Sequence, residues 1–258
     1  MHLSWSQIRM LMRCPKQWEY RYVKGVVRPP GVALVVGAGT HRGVEVNMRN
    51  KLDEGEPMPL SSVLDVTRDA VITRIEADGL RLTEDEKSRG LKTIRGEAVD
   101  QATALSALHH TDVAPNIDPV AVEKEWELNI GNEDKSLKGR IDIETAHGIR
   151  DTKTSGKMPP KGSADKDDQL TMYALAYRVL NKRMPEEITL DYLVKSKEPR
   201  ATRLDTTRTI ESLESFLLRI ETAFTLMESG VYMPCDRSNW WCGPRWCGYY
   251  DDCPYTKE

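Results

Sequence analysis

GRIDIETAHGIRDTKTSGK, residues 139–157, is the stretch on which the fold turns. It reads as two short strands joined by a turn around Ala146, His147 and Gly148. Strand side chains two apart share a face, so Asp151 and Lys153 point the same way. A tight two-residue turn brings Asp142 up on that face as well, whereas a three-residue loop sends it to the other. Charges are costly to bury unless they are paired. A short hairpin therefore gathers two carboxylates and an ammonium at one spot, either as a buried ion-pair network or as a metal site with a helper cation.

Outward from the hairpin the pattern is mixed. DPVAVEKEWELNI (118–130) alternates and reads as a preceding strand. ADKDDQLTMYALAYRVLN (164–181) is an amphipathic helix, followed by strands in ITLDYLVKSK (188–197) and ATRLDTT (201–207). TIESLESFLLRIETAFTLMESG (209–230) is a long helix ending at Gly230. Near the N-terminus, LSWSQIRMLMRCPKQWEYRYV (3–23) is helical, with Ser4 or Ser6 as cap and a break at Cys14-Pro15. VGAGTHRGVEVNMRN (36–50) reads as a glycine-rich entry that sets His41 at the opening of a second helix. Residues 60–108 are mostly helical, with a loop near ADGLRLTEDE and Thr83 as cap. The chain has no internal repeat. The expected organisation is one α/β domain: a mainly helical part over 1–110, a sheet core over 118–206, and a helix with a cysteine-rich tail over 207–258.

At 39% hydrophobic and 30% charged residues, 258 positions suit a globular core. The longest apolar run, GVALVVGAG, is too short to span a bilayer. MHLSWSQIRM lacks the apolar stretch of a signal peptide, so a cytoplasmic protein without a membrane partner is expected. The net charge of −3 does not advertise nucleic-acid binding, but it hides local asymmetry. Residues 1–28 carry Arg9, Arg13, Lys16, Arg21, Lys24 and Arg28 against Glu19 alone. Residues 150–166 hold a further basic group: Arg150, Lys153, Lys157, Lys161 and Lys166. Four of the five cysteines fall in CDRSNWWCGPRWCGYYDDC (235–253). In a reducing compartment such clustering points to metal rather than disulfides. Cys235, Cys242, Cys247 and Cys253 could form a local zinc knuckle, and an iron–sulfur cluster would use thiolates in the same way.

Oxygen ligands such as Asp142 and Asp151 favour hard cations, magnesium or manganese. Such an ion can activate water and stabilise charge on a phosphoryl oxygen, with Lys153 positioning the water. Gln169 and Tyr173 lie four apart on one helix face. Glu45 and Glu125 are further acidic residues that assist the site or lie on the surface.

Taken in order, His41 in GAGTHRG, Asp142 in GRID, Asp151-Thr152-Lys153-Thr154 and Gln169-x-x-x-Tyr173 resemble the RecB-like branch of the PD-(D/E)XK nucleases, over residues 4–254. The typical Asp-Tyr-Lys-Thr is DTKT here. The resemblance implies a restriction-endonuclease-like central mixed sheet flanked by helices. It implies that His41, Asp142, Asp151 and the backbone carbonyl of Thr152 hold a magnesium or manganese ion. Lys153 would be the catalytic lysine, with Gln169 and Tyr173 shaping the site. It also implies a 4Fe–4S cluster on Cys14, Cys242, Cys247 and Cys253, with zinc as the alternative. Cys235 is then a spare thiol, and the gap from Cys242 to Cys247 is wider than usual in the family.

The implied activity is metal-dependent DNA hydrolysis, by an exonuclease preferring single strands or free ends, in recombination, repair or phage DNA processing. WWCGPRWCGYYDDCP looks most like phage-encoded members. The rivals are a CRISPR-type adaptation nuclease working in a complex, a non-catalytic DNA-binding subunit, and a zinc-knuckle interaction module. No G-x-x-x-x-G-K-[ST] loop occurs, so ATP-driven unwinding would need a helicase or recombination partner.

Overall fold

The computed structural model describes residues 1–257, with 132 and 133 by backbone alone. In chain order the elements are β1 (His2–Leu3), α1 (Trp5–Arg13), α2 (Pro15–Trp18), α3 (Val32–Glu54), α4 (Leu60–Asp78), α5 (Glu84–Arg89) and α6 (Leu91–Leu108). There follow β2 (Pro119–Ile130), β3 (Asn132–Thr145), β4 (Gly148–Ser155), α7 (Asp168–Asn181), β5 (Glu187–Val194), β6 (Arg200–Thr206) and α8 (Ile210–Ser229). The strands run in the order β1-β3-β4-β5-β6, with β2 also paired to β3. Parallel and antiparallel pairs are mixed, as expected from the sequence. Among the described residues, no helix is long and apolar enough to cross a membrane.

The chain divides into two compact units. The central unit comprises Pro29–Trp126 and Arg140–Thr209. Its register opposes Ile143 to Arg150 and Glu144 to Ile149, which leaves Ala146 and His147 as a two-residue loop. That is the tight turn that puts Asp142 and Asp151 on one face. β4 then runs parallel to β5, from Gly148 opposite Glu187 to Ser155 opposite Val194, and α7 makes the crossover. Gly148 is required there, because a Cβ would sit 1.8 Å from the Glu187 carbonyl oxygen. Antiparallel β6 completes the order.

Helices α3, α4 and α6 pack together around Val35, Val36, Val44, Met48, Val71, Ala98 and Leu105. The sequence reading of a glycine-rich entry ending at His41 is corrected here. Val32 through Glu54 form one helix, and His41 lies in its interior. The glycines are helical because neighbours need the room. A Cβ on Gly39 would lie 2.3 Å from the Val71 side chain, and one on Gly43 would lie 2.2 Å from the Thr67 hydroxyl and 2.7 Å from that of Ser106. Close packing here outweighs the roughly 1 kcal/mol helix cost of each glycine.

The terminal unit comprises Met1–Arg28, Glu127–Gly139 and the described residues from Ile210 onward. β1, which hydrophobic pattern alone does not reveal, pairs in parallel with β3 through His2–Ser136 and Leu3–Leu137. α1 contacts α8, and Leu3, Ile8, Leu11, Phe216, Ile220 and Phe224 are buried. Ser4 starts α1, its amide donating to the Gln7 side chain at 2.7 Å, and Cys14 closes it in extended conformation. Beyond α8 the tail is a series of turns.

Candidate functional site

Four elements of the central unit converge their polar side chains. α3 supplies His41, β3 supplies Asp142, β4 supplies Asp151, Thr152 and Lys153, and α7 supplies Gln169 and Tyr173. Asp167 caps α7, accepting from the amides of Gln169 at 2.8 Å and Leu170 at 3.3 Å. This fixes the first turn of α7 and so the position of Gln169.

The Lys153 ammonium lies 2.8 Å from the Asp151 carboxylate and donates to the Gln169 carbonyl oxygen. The Gln169 amide donates in turn to Asp151 at 3.1 Å and to the Tyr173 hydroxyl at 2.7 Å. Every member of this ring is therefore oriented by another. Asp151 is 1% exposed. Burial pushes its carboxyl above the usual carboxylate range; the Lys153 charge opposes that rise and the Asp142 charge adds to it. Burial pulls the Lys153 ammonium down, but Asp151, Asp167 and Asp142 outweigh it, so the net shift is upward and the side chain stays charged. Tyr173 is raised by burial and by the nearby carboxylates, which keeps its hydroxyl protonated.

A second group adjoins the ring. The Thr152 amide donates to Asp142 at 3.2 Å, and His41 Nδ1 lies 3.4 Å from the same carboxylate. Glu123 on β2 completes it: ligand atoms of His41, Glu123 and Asp142 all lie within 4.8 Å of one another. The structure thus brings His41 and Asp142 together as the sequence reading expects, but the third carboxylate beside them is Glu123. Asp151 is engaged with Lys153 and Gln169. Of the two acidic residues weighed earlier, Glu125 is exposed and Glu45 pairs with Arg42 at 2.8 Å and Arg49 at 3.6 Å.

Glu123 and Glu125 are two apart on one strand, so alternation alone cannot choose between them. The choice is made by backbone. Glu123 takes φ +51°, a left-handed conformation rare for a non-glycine residue, and such outliers cluster at functional sites. Its side chain is 9% exposed and contacts Arg140. Burial, with Asp142 adding, raises its pKa to about 7 against the pull of Arg140. One imidazole and two carboxylates form a donor set suited to a hard divalent ion, and the upward shift at Glu123 marks a place where added positive charge is favoured. The residues fit magnesium or manganese.

In the terminal unit, Cys14, Cys235, Cys242, Cys247 and Cys253 line one cavity with Gln17, Tyr20 and Tyr249. The convergence includes Cys235 on equal terms, its amide donating to Cys14 Sγ at 3.4 Å. Burial, with Cys14 adding, pushes the Cys235 thiol up to about 12. Burial also raises Cys247. Thiols held protonated in this way are released to thiolates when a cation binds them.

The central unit thus sets one lysine beside paired acids. The model of the PD-(D/E)XK nuclease superfamily matches residues 2–255. The chain belongs to the PD-(D/E)XK nuclease superfamily. Among solved structures, a protein described as "Putative exonuclease" from Eubacterium rectale aligns at TM-score 0.58 and 12% identity, over 93% of this chain and 86% of its own. That likeness is one of fold. A second structure, SSO0001, aligns over 98% of this chain and 96% of its own at 16% identity, but its TM-score of 0.38 bears no weight. No curated protein matches.

Proposed function

We propose that this superfamily member is a divalent-metal-dependent deoxyribonuclease, an exonuclease preferring single strands or free ends, that serves recombination, repair or phage DNA processing beside a helicase or recombination partner. The observation that carries this reading is the meeting of two polar groups at Asp142 and Thr152: the triad His41–Glu123–Asp142 and the ring Asp151–Lys153–Gln169–Tyr173.

His41, Asp142, Asp151 and the Thr152 carbonyl would hold magnesium or manganese, with Glu123 as an additional carboxylate. When bound there, such an ion would supply activation of water and stabilisation of charge on the phosphoryl oxygens. The chain's own part is positioning. Lys153, kept protonated and aimed by Asp151 and Gln169, orients the attacking water and neutralises the pentacoordinate transition state. Gln169 fixes that ammonium, and Tyr173 anchors Gln169 from the buried side.

The thiol cavity would hold a 4Fe–4S cluster on Cys14, Cys242, Cys247 and Cys253, with zinc as the alternative occupant. What supports a thiolate-bound group is that all five cysteines line one cavity.

The test is cleavage of end-labelled single- and double-stranded DNA by anaerobically purified protein, with magnesium or manganese. Wild type should degrade DNA only with metal. Lys153→Ala should lose about 10²- to 10³-fold in rate, the span for removing one donor to the transition-state charge, with its melting curve intact. Undiminished cleavage by Lys153→Ala would sink the assignment.

A further inference from the structure

The five tail aromatics do not share one role. Tyr249 is buried, stacked on Tyr20 with centroids 5.2 Å apart, and its hydroxyl donates to the Val26 carbonyl. Trp241 and Tyr250 are half-buried. Packing around the thiol cavity accounts for these three. It does not account for Trp240 and Trp246, which stay 65% and 49% exposed.

Those two indoles are nevertheless ordered by their neighbours. Trp240 meets Trp246 edge to face, with centroids 5.1 Å apart at 86°, and meets Trp241 at 5.6 Å and 80°. The Arg13 guanidinium lies 5.7 Å from the ring centroids of both Trp240 and Trp241. Arg245 lies 5.2 Å over Trp246. Cys14, the next residue after Arg13, lines the thiol cavity, so Arg13 links the exposed indoles to the cavity wall.

Arg9 and Arg13 are one turn apart on α1, a like-charge spacing that disfavours the free helix. Among the described residues neither has a carboxylate partner, and the buried Arg13 Nε has no acceptor. An anion would satisfy both. A ligand that alternates flat rings with phosphates matches indoles interleaved with guanidinium groups.

We propose that Trp240 and Trp246, backed by Arg9, Arg13 and Arg245, form a stacking platform for single-stranded nucleic acid. This deepens the nuclease reading above by giving the strand a docking surface in the terminal unit. Stacking on indoles tolerates any base, and the guanidinium groups take the backbone.

The experiment is fluorescence anisotropy of labelled oligo(dT) with the full chain, purified anaerobically in a Lys153→Ala background and without added divalent ion. Binding is then read apart from cleavage, and a failure of the nuclease reading leaves this result intact. Trp240→Ala with Trp246→Ala should weaken binding about tenfold or more, with the salt dependence unchanged because no phosphate contact is lost. Arg9→Ala should weaken binding less but flatten the salt dependence. Phenylalanine at both tryptophan positions should restore most of the affinity. Trp246→Ala alone leaves the contacts of Arg13 with Trp240 and Trp241 in place and should also weaken binding severalfold, with iron and zinc content measured in every variant to separate stacking from loss of a thiol-bound metal. Unchanged oligo(dT) affinity in the alanine variants overturns the proposal. So does an equal loss for a duplex of the same length, or a loss seen only with anionic lipid vesicles.

Discussion

The Lys153 ring and the five-thiol cavity are both polar groups at low exposure, but the backbone holds them differently. Each member of the ring rides on a strand or on a helix of fourteen residues or more. Its geometry is set by ladder hydrogen bonds and by core packing. Cys14 sits at the break between two helices, and the other four thiols sit outside any helix or strand. Few backbone constraints fix their mutual distances. Backbone and packing set the geometry of the ring, whereas the backbone leaves the spacing of the thiols open.

The largest expected effect tests the second half of that contrast. Cys14 and Cys247 are more than two hundred residues apart in the chain. A crosslink closing so long a loop stabilises by about 5 kcal/mol in the chain-entropy model. Cys247→Ser should therefore lose bound iron or zinc and melt roughly 10–20 °C lower, as metal analysis and circular dichroism would show. A variant that keeps the wild-type melting point would mean that the tail holds itself, and the contrast would break.

Glu123→Gln sharpens the first half. Its fold should survive, while calorimetry should show manganese affinity falling about 10- to 100-fold. The sign with pH is definite. Glu123 is raised from 4.5 to about 7 in the fold. Without metal, its contribution to stability is therefore present below about 4.5 and is lost as pH climbs to about 7. Metal binding must displace that proton, so wild-type affinity should rise with pH up to about 7 and level off above it. Glutamine should flatten the rise; a parallel pH profile in the variant would remove Glu123 from the ligand set.

The smallest effect lies outside both groups. His109 is fully buried in the central unit, and both its ring nitrogens lack partners among the described residues. Burial, with Arg150 adding, lowers it to about 3. A histidine held neutral stabilises above the unfolded value of 6.5 and loses that contribution as pH falls. His109→Leu should gain about 2 kcal/mol at pH 5 relative to wild type and change little at pH 8, measured by urea unfolding at both values. A gain of equal size at both would place the cost in packing rather than titration.

Much of the scaffold was legible because its elements carry strong local signals. The alternation in 118–130 and the α7 pattern each mark an element locally, while the turn around Ala146, His147 and Gly148 is legible in place but its length is decided by the strand register. Thr83 was legible as a cap, and its amide and hydroxyl do pair reciprocally with Glu86. The glycines flanking His41 mislead because glycine signals a turn locally, while here Gly39 and Gly43 answer to Thr67, Val71 and Ser106, whose approach no local pattern encodes. Glu123 was missed for a similar reason: a left-handed residue inside a strand leaves no mark on the alternation.

The sequence by itself determined which chemistry was on offer: an Asp-x-Lys pair on one strand face, a histidine and carboxylates upstream, and thiols crowded in the tail. Residue type and two-residue periodicity are local properties, so they survive in the linear text. Only the tertiary structure decided who meets whom. It set Glu123 beside His41 and Asp142, tied Lys153 to Gln169, brought all five thiols to one cavity and left Trp240 and Trp246 exposed. Those outcomes depend on packing between segments tens to hundreds of residues apart, where free energy is settled by contacts that no single stretch contains.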